Sequence, residues 1–212
     1  MWDFVRDRRA EIFYDAWQHT YLVVLAVVAA TVVAVAIAVI VTRIPRLAAP
    51  ANALSAIGLT IPALALVGLL LPVLALGSTL AFVAVAFYAV MPVLRNAVVG
   101  LQGVDATLLE SARGMGMGEL ATLARIRIPL AWPVILAGVR TSTQMSMGIA
   151  AIASYALGPG LGGFIFTGLA QNGGKNAMNY ALVGTIGIVV MALILDGLLL
   201  ALGRATISKG VR

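Results

Sequence analysis

Two charged side chains stand inside stretches that are otherwise uncharged: Arg140, in the run from about Pro133 to Leu157, and Asp196, in the run from Tyr180 to Gly203. An acid in such a segment marks an ion or proton path, or else a structural ion pair. A single acid without a relay does not make a proton-coupled carrier, so pairing with Arg140 is the expected role of Asp196. Enzyme chemistry finds few other groups. Cysteine is absent, which excludes thiolate catalysis, disulfides and Cys-based metal sites. The one histidine, His19, sits at the edge of an apolar run, and neither an HExxH pair nor a phosphate loop of the type GxxxxGK[ST] occurs. Gly158, Gly160, Gly162 and Gly163 follow an apolar run rather than a strand, so they do not make a dinucleotide site. They are expected to shape a re-entrant loop or a short gate helix, Phe164 to Leu169, with Thr167, Gln171, Asn172, Asn176 and Asn179 around it.

The elements that hold these residues follow from composition. Of 212 residues, 62% are hydrophobic and 10% charged, and the mean hydropathy is +1.06. A soluble domain draws about a quarter of its residues from Asp, Glu, Lys and Arg to cover its surface. This chain cannot build that surface and is expected to be an all-α integral membrane protein. A span needs roughly 20 apolar residues. Tyr21 to Thr42 is the first. The charge-free run Ala48 to Leu94 has room for two, near 51–71 and 75–94, with Pro72 and Leu76–Ser78 marking the turn. The fourth runs from about Pro133 to Leu157 and the fifth from Tyr180 to Gly203, giving about five transmembrane helices in a domain over 21–212. Residues 1–20 mix Trp2, Phe4, Val5, Ile12, Phe13 and Trp17 with charges, a composition suited to an amphipathic helix at the membrane interface. That mixed charge, and the length of the apolar run behind it, do not suit a cleavable signal peptide.

Basic residues set the expected orientation. Arg6, Arg8, Arg9 and Lys175 fall on one side. Arg43, Arg46, Arg95, Arg113, Arg125, Arg127, Arg140, Arg204, Lys209 and Arg212 fall on the other, which is therefore read as cytoplasmic, with the N-terminus outside and the C-terminus inside. The basic residues are dispersed between spans, so the net charge of +6 does not indicate a nucleic-acid partner.

The one long polar segment within the chain, about 95–132, lies on that cytoplasmic side. Asp105 is placed to cap a short helix from Ala106 to Arg113, because its carboxylate can accept an early backbone N–H. Gly114, Gly116 and Gly118 interrupt helix and allow a sharp turn. A second helical stretch, Glu119 to Ile128, is expected to end at Pro129. Helix, glycine turn and helix make a compact protrusion of the kind that fits a groove on a partner.

This segment resembles the EAA loop of bacterial ABC importer permeases, which reads Glu-Ala-Ala, three residues, Gly, nine residues, then Ile-x-Leu-Pro. Here Glu110-Ser111-Ala112 is followed after three residues by Gly116, and after nine more by Ile126-Arg127-Ile128-Pro129. Ser111 and Ile128 are the departures. A narrower likeness covers roughly residues 20 to 200: LTIPALALVGLL, YAVMPVLRNAVVGLQGVD, ESARGMGM, PLAWPVILAGVRT and LGPGLGGFIFTGL resemble permeases of the glycine betaine, carnitine and choline uptake systems. Leu59 and Ala63 depart from that family's Gln and Ser, so no substrate contact is carried over for the second span.

The resemblance implies a permease subunit of a type I importer for osmoprotectants, with a loop that docks onto a separate ATPase. Its coupling residues would be Asp105, Glu110, Ser111, Ala112, Arg113, Gly114, Gly116, Ile126 and Pro129. Glu110 would meet a basic residue of the ATPase groove, Ser111 and Ala112 would keep the face small, and Gly116 would permit the turn. Pro129 and Pro133 read as helix-entry punctuation. The alternative for Glu110 is a solvated pair with Arg113 at i+3. ATP and Mg would belong to the ATPase and no cofactor to this chain. The implied partners are that cytoplasmic subunit, an extracytoplasmic substrate-binding protein, the bilayer of the bacterial inner membrane, and a second permease, identical or paralogous, because five helices enclose a solute path poorly alone. The same architecture with methionine or another amino acid as cargo is the alternative reading. An intramembrane enzyme would leave the loop unexplained, and a secondary transporter would call for an inverted repeat and a charged midplane site, neither of which the sequence offers.

Overall fold

The computed structural model describes residues 1–207, so Lys209 and Arg212 of the charge count lie outside the described residues. A short helix, α1 (Trp2–Asp7), is set off at Arg8 from α2 (Arg9–Arg43). A 3₁₀ turn leads to α3 (Ala48–Thr60), and α4 (Ala63–Leu74) and α5 (Ser78–Gln102) follow. The polar segment holds α6 (Ala106–Gly114) and α7 (Glu119–Thr122); then come α8 (Ile128–Ala153), α9 (Gly162–Ala170) and α10 (Ala177–Thr206). No strand occurs among the described residues. Four helices, α2, α5, the stretch Glu119–Ala156 and α10, are long and apolar enough to cross a membrane, and the bent pair α3–α4 makes a fifth when counted as one span.

The first boundary differs from the expected one. Residues 9–20 are not a separate interfacial helix but continue the first span, and at 1.5 Å per residue the 35 residues of α2 run about 52 Å, well beyond a hydrocarbon core of about 30 Å. The exposed Phe13, Tyr14, Trp17 and Tyr21 line one side of that overhang, the residue types that aromatic belts place at the membrane–water boundary.

The second span is broken by 94°, a bend that was not expected inside it. Pro72 lies inside α4, while the break falls at Ile61–Pro62. A residue before proline is pushed out of the helical region, and Ile61 is extended at φ −66°, ψ 125°. The Tyr88 phenol of α5 donates to the Ile61 carbonyl that the break leaves without a helical donor. The turn into α5 comes at Ala75 and Gly77, both with positive φ, at the expected Leu76–Ser78, with Pro72 outside it.

Pro129 does not end a helix either. A π-helical turn, Leu123–Arg127, joins α7 to α8 without interruption. Proline removes one N–H and crowds the carbonyl four residues back; widening the turn there relieves that crowding. α5 likewise continues past Arg95 to Gln102. Arg140 therefore lies near the middle of α8, not at its entry, and leaves the count of basic residues at the loop end.

α5 is the most enclosed span and packs chiefly on α8 and α2. Small residues make the close approach possible, because little apolar driving force acts between helices in lipid and packing must supply it. A Cβ at Gly138 would stand 2.7 Å from the Asn96 Cβ, and one at Gly100 3.1 Å from the Ala131 carbonyl. Beyond Gly138 on the same seam, buried Ser142 donates across to the Ala89 carbonyl at 2.8 Å. His19 is fully buried, its Nε2 3.1 Å from the Met147 carbonyl, which makes it a packing residue between α2 and α8. α10 is the least enclosed of the four long helices and seats α9 against the bundle.

Candidate functional site

The protrusion at one end of the bundle is built from residues that each satisfy a local need. Asp105 caps α6, its Oδ1 accepting the Thr107 N–H at 2.7 Å. Ser111 faces outward and its hydroxyl returns to the Thr107 carbonyl at 2.8 Å. Ala112 is fully buried and Leu109 nearly so, which fixes the side of α6 that rests on the membrane domain. The helix ends in a Schellman motif: the Gly116 N–H donates to the Arg113 carbonyl at 2.9 Å and the Met117 N–H to the Ala112 carbonyl at 3.0 Å. That motif places Gly116 at φ +81°, where an L side chain is strained. Of the three glycines expected to form the turn, only Gly116 has this conformation. Gly114 closes α6 and Gly118 is the extended residue that opens α7.

Glu110 is exposed, and among the described residues it makes no ion pair with Arg113, which faces a crevice instead. Ile126 is half-buried in the π-helical turn, and Pro129 is exposed in the first turn of α8. The structure thus brings Asp105, Glu110, Ser111, Ala112, Arg113, Gly114 and Gly116 together on one short element. Ile126 and Pro129 stand at the joint behind it. Leu108, Met115 and Leu120 add an apolar side to this element that the sequence reading did not single out, at 48%, 74% and 72% exposure. These large apolar side chains stand exposed beside the Glu110 carboxylate on an otherwise polar protrusion.

Within the bundle, Arg140 and Asp196 form the pair expected from their isolation: Nε to Oδ1 and Nη2 to Oδ2, both 2.9 Å. Thr141, Gln144 and Gly148 follow Arg140 on an exposed face of α8. Thr141 and Gln144, polar groups at i and i+3, share that face, and Gly148 leaves it open one turn further on.

At the opposite end, α9 covers Gly162–Ala170, close to the expected short helix, with Gly160 at φ +112° before it. Aromatic rings scattered in sequence are gathered here. Phe4 and Phe164 flank Tyr180 at 4.8 and 5.6 Å, and the Arg8 guanidinium lies 4.9 Å from the Tyr180 ring centre. The chain's own cation fills this cluster. A cavity of about 420 Å³ nearby is lined by Tyr21, Phe82 and mostly aliphatic or small polar groups, which do not form an aromatic cage.

Residues 30–208 match the family described as binding-protein-dependent transport system inner membrane component. The glycine betaine/carnitine/choline transport system permease protein OpuCB of Bacillus subtilis (strain 168) is 36% identical over the whole of this chain and 96% of its own length. The carnitine transport permease protein OpuCB of Listeria monocytogenes is 33% identical over 99% of this chain and 94% of its own. The permease protein ProW of the Escherichia coli (strain K12) glycine betaine/proline betaine transport system is 31% identical over 90% of this chain and 53% of its own. Among solved structures, an inward-facing MetNI methionine ABC transporter chain superposes with a TM-score of 0.73 at 19% identity, covering 95% of this chain and 96% of that one, a likeness of fold. A helical bundle with spans and protrusion so arranged, and a family match over most of its length, identify the chain as a member of the binding-protein-dependent transport system inner membrane components, the permease subunits of type I ABC importers.

Proposed function

We propose that this permease carries osmoprotectants such as glycine betaine or related quaternary amines, pairing with a second permease chain around the solute path. The names of the relatives at 31–36% identity support that cargo over methionine or another amino acid. The fold likeness to a methionine transporter does not bear on it. The N-terminus lies outside and the C-terminus in the cytoplasm, as the distribution of Arg and Lys favours. Capture falls to a substrate-binding protein on the outer face, and ATP and Mg belong to the cytoplasmic ATPase.

The observation that carries the mechanism is continuity. α6 is held by its cap and Schellman motif, and the helix that follows it runs unbroken from Glu119 through the π-helical turn to the end of α8. A displacement of α6 by closing ATPase subunits would pass directly into the span that carries Arg140, Thr141 and Gln144. Glu110 presents the charge and Leu108, Met115 and Leu120 the apolar surface of the docking face.

Reconstitution with the ATPase and binding protein tests this reading. ATP-dependent uptake of labelled glycine betaine, choline or carnitine is expected in vesicles, with none of methionine. Methionine uptake without any quaternary amine would sink the cargo assignment.

A further inference from the structure

A crevice of about 260 Å³ separates the end of α2 from α6 and the α7–α8 joint. Arg43, Arg113 and Arg127 line it from these three elements, with Glu119 the only acid among the lining residues. The ion pairs among the described residues are Arg8–Glu11 and Arg140–Asp196, so none of these four side chains is neutralised by a partner. Three guanidinium groups drawn from distant parts of the chain to one crevice repel one another. Water screens part of that repulsion, since Arg43 and Arg113 are exposed, and the same exposure leaves the crevice open to a ligand. Guanidinium forks match the oxygens of a phosphate group, which accepts several charge-assisted hydrogen bonds at once.

We propose that this crevice binds a phosphate-bearing anion between Arg43, Arg113 and Arg127, and that the phosphate is the headgroup of an anionic phospholipid. Two features favour a lipid over a soluble anion. The wall is partly apolar, with Val39 and Leu109 beside the arginines. Ile40 of α2 and Ile44, which caps it, are exposed at 52% and 48% on either side of Arg43 and offer a track for an acyl chain up the span. The crevice also lies on the Leu109 side of α6, facing the membrane domain, and so is separate from the docking surface of Leu108, Glu110 and Met115. An occupant would tie α6 to the first span and set the rest position of the protrusion, whichever solute is carried.

The test uses the full chain purified in uncharged detergent, with native mass spectrometry after exposure to phosphatidylglycerol, phosphatidylcholine or inorganic phosphate. The wild type should retain phosphatidylglycerol roughly ten- to thirty-fold better than Arg43→Gln/Arg127→Gln, given what basic residues contribute at an anionic surface. Phosphatidylcholine should not distinguish them. Arg43→Lys/Arg127→Lys should keep most of the retention, which separates lost charge from misfolding, and Glu119→Gln should exceed the wild type because it removes the one opposing charge. Inorganic phosphate that binds with the same arginine dependence and displaces the lipid would confirm a phosphate site and overturn the lipid source. Equal phosphatidylglycerol retention by wild type and the Gln variant overturns the proposal. So does a Gln variant that keeps the lipid but loses the ATPase on co-purification, because the arginines would then read an acidic protein surface.

Discussion

Arg140 and Asp196, 56 residues apart in the chain, lock α8 to α10 through two parallel hydrogen bonds of 2.9 Å each. Both lie within apolar spans, where the partner is the compensating charge that the structure places against each. Removing one partner leaves an uncompensated charge, whereas removing both leaves an apolar contact. Arg140→Leu and Asp196→Leu are therefore each expected to lower the melting temperature in detergent, and the double variant to melt above at least one of the singles. Additive losses across the cycle would show that the pair contributes nothing as a pair.

Gly116 separates conformational need from space. A Cβ there would meet nothing within 4 Å, so the φ of +81° alone opposes a side chain. Gly116→Val should cost about 1–3 kcal/mol locally, disturb the Schellman motif and abolish coupled uptake while membrane insertion persists. Gly114→Ala and Gly118→Ala meet open space at ordinary dihedrals and should transport like the wild type. Equal losses at all three positions would show that the turn is not what the motif glycine supplies. Uptake in vesicles and co-purification of the ATPase read both effects.

Orientation can be read by labelling, since the chain has no native cysteine. Arg46→Cys, Glu119→Cys and Lys175→Cys all lie at exposed positions. Lys175→Cys should react with an impermeant maleimide in intact cells, and the other two only after permeabilisation. Reaction of Glu119→Cys from outside would invert the proposed topology.

What could be read from sequence was local or forced by the solvent. The Asp105 cap and the Gly116 turn depend on near neighbours, and both stand as expected. The Arg140–Asp196 pair was legible because an apolar medium leaves two isolated opposite charges only each other. Pro129 stands in the first turn of α8, the helix-entry place expected of it. The helix breaks expected at Pro72 and Pro129 do not occur, because the effect of a proline depends on what surrounds it. Pro72 is absorbed inside α4 and Pro129 by a π-helical turn, while Pro62 breaks its span where Tyr88 can accept the consequence. No spacing rule brings Phe4, Arg8, Phe164 and Tyr180 together; packing of both ends of the chain does. The arginine crevice is equally non-local, joining residues 43, 113 and 127.

The broken span yields the last expectation. In a bilayer every backbone carbonyl must find a donor within the protein or line a wet cavity. At the 94° bend the Ile61 carbonyl has lost its helical donor, and the Tyr88 phenol replaces it. Tyr88 is itself buried, so Tyr88→Phe changes almost nothing but that hydroxyl. The orphaned carbonyl should then destabilise the protein by about 1–3 kcal/mol. Pro62→Ala attacks the same joint from the other side, because it frees Ile61 to return to helical dihedrals and recover a helical donor. With the bend relaxed, the phenol has less to satisfy, so the cost of Tyr88→Phe should shrink in the Pro62→Ala background. Melting temperatures of the two single variants and the double in one detergent give the coupling. If Tyr88→Phe melts with the wild type, or the two losses simply add, the bend is held by proline and lipid packing, and Tyr88 is not its latch.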